Sequence, residues 1–323
     1  MTFREKFKYY KQKNPKPGFE GVLDFSQLEG NVKGISSRTS VCEPSEEDLS
    51  SLGLQEVNQW HIFELIDKPG LIFIRNPFTA AGQRLWVERS LTVYTRRPSK
   101  LNLDAHGDLE PNEDWWTVCC RDSGRSAVLQ SKLRWATLGY HHNWDTKKYS
   151  ESDRSKFPDE LARLSRVVIR TVLDLGEFVA EAAILNYYHM DSTLSGHVDS
   201  SETNLEAPLV SFSFGQSAVF LIGGTSLEDT PTPMFIHSGD VVIMSGFSRL
   251  CYHGVPRIVP APRTPWDENR TISGCLESSV NSQDNLANFC DSWSTISDYI
   301  KTSRINLNVR QVSNCSKTLF KEA

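Results

Sequence analysis

The chain has 323 residues, 39% of them hydrophobic and 23% charged, enough to bury a large core and unlike a low-complexity or membrane protein. No apolar run approaches the roughly 20 residues that span a bilayer, and the N-terminus lacks the apolar stretch of a secretory signal, so an intracellular protein with no membrane partner is expected. The formal charge of −5 alone does not mark a nucleic-acid binder, but it is unevenly spread, since residues 1–16 carry +5.

In chain order, Phe3, Phe7 and Tyr10 recur at helical spacing, so the basic N-terminus reads as an amphipathic helix. It would either dock on the body or act as a mitochondrial presequence. Residues 35–51, rich in Ser and Glu, read as an exposed loop with a short helix. Leu71–Ile74 is a compact apolar strand, and Ala80–Tyr94 suits an amphipathic helix ended by Pro98. Residues 99–131 read as polar and irregular, with Trp115 and Trp116 on a short helix. A strand follows over Leu133–Tyr140 and a helix over 159–172. Short strands separated by turns then dominate: Phe178–Tyr188, Leu209–Phe214, Ala218–Ile222, Pro233–His237, Val241–Met244, Arg249–Ile258 and Arg304–Val312. Residues 259–283 read as a loop insertion and Asp284–Lys301 as a helix.

This spacing predicts a mainly β protein with flanking helices, built as a double-stranded β-helix, the cupin-like jelly roll. The expected organisation is an N-terminal helical extension and recognition region over 1–130, the jelly roll over 131–312, and a tail over 313–323. The seven cysteines (Cys42, Cys119, Cys120, Cys251, Cys275, Cys290 and Cys315) are odd in number and lack C-x-x-C spacing. That argues against a disulfide framework or structural zinc, and for buried free thiols. Basic clusters at Arg96, Arg97 and Lys100, at Arg121, Arg125, Lys132 and Arg134, and at Lys147 and Lys148 would either track phosphates or form a solvated surface.

The chemistry sits in His197-Val198-Asp199. Residues two apart on a strand share a face, so this imidazole and carboxylate can grip one ion together. His253, from a distant strand of the same barrel, would complete two imidazoles and one carboxylate, a donor set suited to Fe(II) with open positions opposite. The last strand alternates: Arg304, Asn306, Asn308 and Arg310 on one face, Ile305, Leu307 and Val309 on the other. Arginines turned into a barrel need anions, and a dicarboxylate would supply them bidentately. Asn186 and Tyr188 share a face of the strand leading to His197 and offer an amide and a phenol to the same molecule. His189 and His237 are the decoys among the remaining histidines.

The ordered set Asn186-Tyr187-Tyr188, Gly196-His197-Val198-Asp199, Ser211–Gly215, Ser238-Gly239-Asp240, His253–Arg257 and Arg304-x5-Arg310 resembles AlkB-type dioxygenases, nearest the homologue 1 branch through Leu185–Glu202 and Met244–Arg249. The resemblance covers residues 130–312 strongly and implies an Fe(II)- and 2-oxoglutarate-dependent oxygenase using O2. It implies His197, Asp199 and His253 as iron ligands and catalytic residues. Arg304 would hold the distal carboxylate of 2-oxoglutarate, with Arg310, Asn186 and Tyr188 completing the pocket. The implied substrates are N-methylated nucleobases, in tRNA first and DNA second, demethylated with release of formaldehyde, succinate and CO2. Bacterial members carry a second Asp two residues after the metal Asp; here Ser201 stands there, with Glu202 next, so the base-reading carboxylate is shifted.

An extruded base needs flat partners and edge hydrogen bonds, which nominates Trp115, Trp116, Tyr140, His141, His142, Asn143, Trp144 and Glu202 as substrate-binding residues. The tryptophans have core packing as their alternative. Rival readings keep the oxygenase but direct it to a protein side chain, or make the cupin a non-catalytic binding module. A monomer in the nucleus or mitochondrion is expected.

Overall fold

Alternation along the strands sets the layers. In the computed structural model, which describes residues 1–28, 32–267 and 293–313, the N-terminal part contains α1 (Phe3–Lys11), β1 (Ile35–Arg38), α2 (Glu46–Leu52), β2 (His61–Leu65), β3 (Leu71–Arg75) and α3 (Ala80–Thr92). Then come β4 (Lys100–Leu101), α4 (Trp115–Arg121), α5 (Ser123–Lys132), β5 (Trp135–Gly139) and α6 (Asp159–Val172). The remaining strands are β6 (Ala182–His189), β7 (Leu194–His197), β8 (Leu209–Gly215), β9 (Ser217–Ile222), β10 (Thr232–Ile236), β11 (Val241–Met244), β12 (His253–Val259) and β13 (Ser303–Arg310).

They form a nine-stranded sheet in the order β1-β2-β3-β11-β8-β13-β6-β5-β4 and a four-stranded sheet in the order β10-β9-β12-β7. Residues before 130 therefore extend the large sheet at both edges. Leu71, Phe73, Val242 and Met244 of the large sheet meet Ile222, Met234 and Ile236 of the small one, closing a jelly roll between them. The opposite face of the large sheet is covered by helices: Ile305, Leu307 and Val309 of β13 join one core with Trp86, Val87 and Leu91 of α3 and Leu161, Leu164 and Val168 of α6. That leaves Arg304, Asn306 and Arg310 buried on the inner face, between the sheets.

The helix α1 docks on the outer face of the small sheet, the first of its two expected roles. Thr2 and Glu5 close a capping box at its start. Phe3 and Tyr10 pack with Val219 and Leu221 of β9. Arg257 Nε donates to Tyr10 O at 2.6 Å, and Lys6 Nζ to Pro231 O at 3.0 Å. The Phe3 ring lies so close to Gly196 that a Cβ there would sit 2.5 Å from Phe3 Cε1. A glycine before His197 is thus what lets the helix seat on the metal strand.

Several expectations are corrected. Residues 99–131 are less irregular than expected: the short helix at Trp115 and Trp116 forms as α4, capped by Asp114 on Thr117 N, and α5 follows it, capped by Asp122 on Gly124 N and Arg125 N. Their polar exposed sides hid the helical period. The strand expected from Arg249 begins at His253, because Gly246–Leu250 turns as a 3-10 helix held by Ser248 Oγ on Ser245 N. Cys119 and Cys251 are buried, but Cys42 and Cys120 are exposed free thiols. Of the basic clusters, Arg96, Arg97, Lys100, Arg125 and Lys132 make ion pairs with acids, as in Lys132–Asp108, Arg125–Glu113 and Lys100–Asp153. The tail beyond Ser313, most of the 259–283 loop and the start of the Asp284–Lys301 helix lie outside the described residues, though 293–300 is helical. Among the described residues no helix is long and apolar enough to cross a membrane.

Since Phe3 is 1% exposed, Phe3→Ala should lower stability to urea unfolding by about 3 kcal/mol, the usual cost of emptying a buried phenylalanine site. An unchanged unfolding midpoint would show that α1 is not part of the cooperative fold.

Candidate metal centre and cosubstrate pocket

His197 ends β7 and His253 begins β12, and the two are cross-strand partners with ring centroids 4.4 Å apart. Asp199 follows two residues on. Its Oδ1 lies 3.7 Å from His197 Nε2 and its Oδ2 3.7 Å from His253 Nε2. One donor atom from each residue falls within 4.8 Å of the others, close enough to share one ion. Each imidazole has a backbone carbonyl on Nδ1: Ser195 O at 2.9 Å for His197 and Cys251 O at 3.2 Å for His253. A carbonyl only accepts, so Nδ1 carries the proton and Nε2 presents its lone pair to the centre. Burial, with His197 second, pushes His253 down to about 4, which keeps it neutral and able to ligate.

Burial alone would raise the Asp199 pKa, but Arg310, then His253, His197 and Arg249, outweigh it and hold the carboxyl well below the usual range. The Arg310 Nη2 stands 3.1 Å from Asp199 Oδ1. Arg310 also donates through Nε to Glu202 Oε1 at 2.9 Å, and Arg249 Nη2 donates to Glu202 Oε2 at 2.8 Å. Both oxygens of Glu202 are therefore engaged by guanidinium groups, and its side chain is 1% exposed. This corrects its expected role at a base edge. Arg310 correspondingly bridges the two carboxylates of Asp199 and Glu202 through Nη2 and Nε.

Arg304 is in a different position. It is 3% exposed and donates to Ser213 Oγ at 2.7 Å and to the Gln216 and Ile236 carbonyls at 3.3 Å each. Its Nε has no partner, and no carboxylate pairs with it among the described residues. Burial depresses its pKa to about 10 against the opposing pull of Tyr188 and Asp240. A buried cation with an unused donor calls for an anionic ligand. Tyr188 is its cross-strand partner, and Asn186 stands opposite Asn306 two residues along. The even-numbered residues of β6 and β13 thus line one pocket wall. Asn306 belongs to it, with Nδ2 on Ser211 Oγ at 2.8 Å. His237 bonds Asp24 at 3.2 Å and His189 lies by Ser303 at 3.3 Å, and neither joins the cluster of His197, Asp199 and His253.

The base-binding candidates separate sharply. Trp115 and Trp116 are 0% and 7% exposed in the helix-layer core, and Trp115 Nε1 donates to Leu129 O, so neither reaches a ligand. His141 is buried on Thr137 Oγ1 at 2.8 Å. Asn143 closes its own turn on the Asp145 and Thr146 amides, and the Tyr140 hydroxyl is held by Glu151 and Arg154. His142 and Trp144 differ. His142 Nε2 meets Ser201 Oγ at 3.0 Å, two residues from Asp199, and its ring lies 4.6 Å from Trp144 and 5.4 Å from Tyr149. Trp144 is 47% exposed and 5.1 Å from Trp135. Sequence reasoning gave no role to Trp135, Tyr149, Arg249 or Ser213. Of these, Ser213 and Arg249 carried a signal, lying in the Ser211–Gly215 and Met244–Arg249 segments that bear the resemblance, whereas Trp135 comes opposite Asn186 only once β5 and β6 are paired.

Replacing Arg304 with Met should weaken 2-oxoglutarate binding at least 30-fold, in line with the ~2–5 kcal/mol lost when one partner of a buried charge pair is removed. Mn(II) affinity, read by calorimetry on the same protein, should hold. Parallel loss of both would place Arg304 in the metal centre instead.

The 2OG-Fe(II) oxygenase superfamily model matches residues 70–310. The chain is 42% identical over 331 residues to the nucleic acid dioxygenase ALKBH1 of Homo sapiens, covering 96% of this chain and 84% of that protein. It is 33% identical to the DNA N(6)-methyladenine demethylase ALKBH1A of Arabidopsis thaliana, covering 94% and 90%. It is 32% identical to the tRNA demethylase abh1 of Schizosaccharomyces pombe, covering 86% and 90%. These matches span the metal centre, the Arg304 pocket and the sheets that carry them, so the chain is an Fe(II)- and 2-oxoglutarate-dependent dioxygenase of the AlkB family, in its ALKBH1 branch.

Proposed function

We propose that this enzyme removes N-methyl groups from bases in nucleic acid, with tRNA as first substrate and DNA as second. The observation that carries the reading is an aromatic surface beside the metal centre. His142 connects Ser201, two residues from Asp199, with the exposed indole of Trp144. Lys147 and Lys148 are exposed on the same segment and make no ion pair among the described residues. A flipped base needs stacking partners close to the reacting centre, with backbone-binding cations further out. The activities for which the relatives are named, on tRNA and on DNA, support the same reading.

In this reading His197, Asp199 and His253 hold Fe(II), which when bound supplies the activation of O2. Arg304, with Ser213 and Tyr188 beside it, grips the distal carboxylate of 2-oxoglutarate and fixes its orientation. Arg310 keeps Asp199 ionised as a ligand. Trp144, His142 and Tyr149 press the base toward the centre. One O2 and one 2-oxoglutarate convert the N-methyl group to N-hydroxymethyl, succinate and CO2. The hydroxymethyl group then leaves as formaldehyde, returning a proton to nitrogen. The protein works as a monomer in the nucleus or the mitochondrion.

Incubation with Fe(II), 2-oxoglutarate and a panel of methylated RNA and DNA oligonucleotides tests this. Formaldehyde should rise in step with succinate for the intact protein, and neither should form with His197→Ala. Succinate without formaldehyde across the panel would move the substrate to another class, such as a protein side chain. Trp144→Ala should raise the oligonucleotide KM between about 5- and 150-fold, matching the ~1–3 kcal/mol that one stacked base contributes. Its succinate production without nucleic acid should be unchanged.

A further inference from the structure

Residues 198–202, which carry Asp199, lie outside the strands, although they must present a metal ligand at a fixed place. Side chains supply the anchoring. Arg249 Nη1 donates to the Asp199 backbone carbonyl, and Arg249 Nη2 donates to Glu202 Oε2 at 2.8 Å. The other Glu202 oxygen takes Arg310 Nε at 2.9 Å, and Arg310 Nη2 reaches the Asp199 carboxylate at 3.1 Å. Two guanidiniums and two carboxylates close a ring of contacts around the loop. The side chains of Arg249, Glu202 and Arg310 are 2%, 1% and 4% exposed. Arg249 also stands four residues before His253, on the 3-10 turn that leads into β12.

From this geometry we infer that Arg249 is a positioning residue for the metal carboxylate. One guanidinium fork ties the lead-in of the His253 strand to the loop of Asp199, so both arms of the centre are set by one side chain. It has a second effect through Glu202. With Arg249 removed, Glu202 keeps one buried oxygen without a partner and competes with Asp199 for Arg310. Either Glu202 swings toward water and drags Asp199, three residues away, off the histidines, or Arg310 releases Asp199. A lysine keeps the charge but cannot span the carbonyl and the carboxylate together, because it lacks the planar fork. Arg249 thereby also makes Glu202 unavailable to substrate, a fixed strut where its sequence position suggested a base reader.

This inference rests on the His197–Asp199–His253 centre, and the test separates the two. Mn(II) binding to the metal-free full chain is measured by calorimetry for wild type, His197→Ala, Arg249→Met, Arg249→Lys and Glu202→Gln, with folding checked by circular dichroism. Wild type should bind one Mn(II) and His197→Ala should lose it; equal binding by both would overturn the centre and this inference with it. Given that loss, Arg249→Met and Arg249→Lys should each bind Mn(II) at least tenfold more weakly, with Glu202→Gln intermediate. Should Arg249→Met fail to fold, Arg249→Lys, which retains the charge, decides alone. Mn(II) affinity within twofold of wild type in folded Arg249→Lys overturns the assignment, since a merely structural arginine would alter unfolding without altering metal affinity.

Discussion

The ionised carboxylate of Asp199, held between two imidazoles and one guanidinium in a largely buried setting, is the interaction on which the rest depends. A carboxylate in such a place would ordinarily take up a proton and lose its capacity to ligate. Arg310 prevents this from 3.1 Å away. Arg310 in turn is placed by β13, whose odd-numbered residues are locked into the helix-covered core while its even-numbered residues face the space between the sheets. The helix layer thus has a direct bearing on catalysis: Ile305, Leu307 and Val309 fix the rotation of the strand that carries both arginines.

The two arginines of that strand have different tasks despite their common face. Arg310 finds two carboxylates within the chain and balances them. Among the described residues Arg304 finds only neutral acceptors, and its Nε finds none. Six residues along a strand separate them by roughly 20 Å of backbone at ~3.3 Å per residue, which suits one end of the pocket to the metal carboxylate and the other to a dicarboxylate cosubstrate. The small sheet supplies both histidines from neighbouring strands, and α1 braces its outer face through Phe3 on Gly196.

Much of this is legible in the order of the amino acids. The period-two pattern of β13 and the His197–Asp199 spacing announce the pocket wall and the paired ligands, because strand geometry converts sequence distance directly into direction. The jelly roll follows from the density of short strands. What stays hidden is decided by partners remote in sequence. Glu202 looks like an available carboxylate until Arg249 and Arg310 arrive from two other elements. Trp115 and Trp116 look equally apt for a base or for a core, since indole suits both, and only α4 packed beneath Leu129 and Tyr299 decides it. In the run from Tyr140 to Trp144, His142 meets Ser201 and the exposed Trp144, while His141 is buried on Thr137 and the Tyr140 hydroxyl is held by Glu151 and Arg154, a sorting that only the folded contacts decide.

The most direct test of the account is the thermodynamic coupling between metal and cosubstrate. If one ion sits on His197, Asp199 and His253 beside the pocket headed by Arg304, each ligand must alter the affinity of the other by the same factor. Titration of 2-oxoglutarate into metal-free and Mn(II)-loaded protein should show at least tenfold tighter binding with metal, and the gain should vanish in His253→Ala. Equal 2-oxoglutarate affinity with and without Mn(II) would contradict a shared centre.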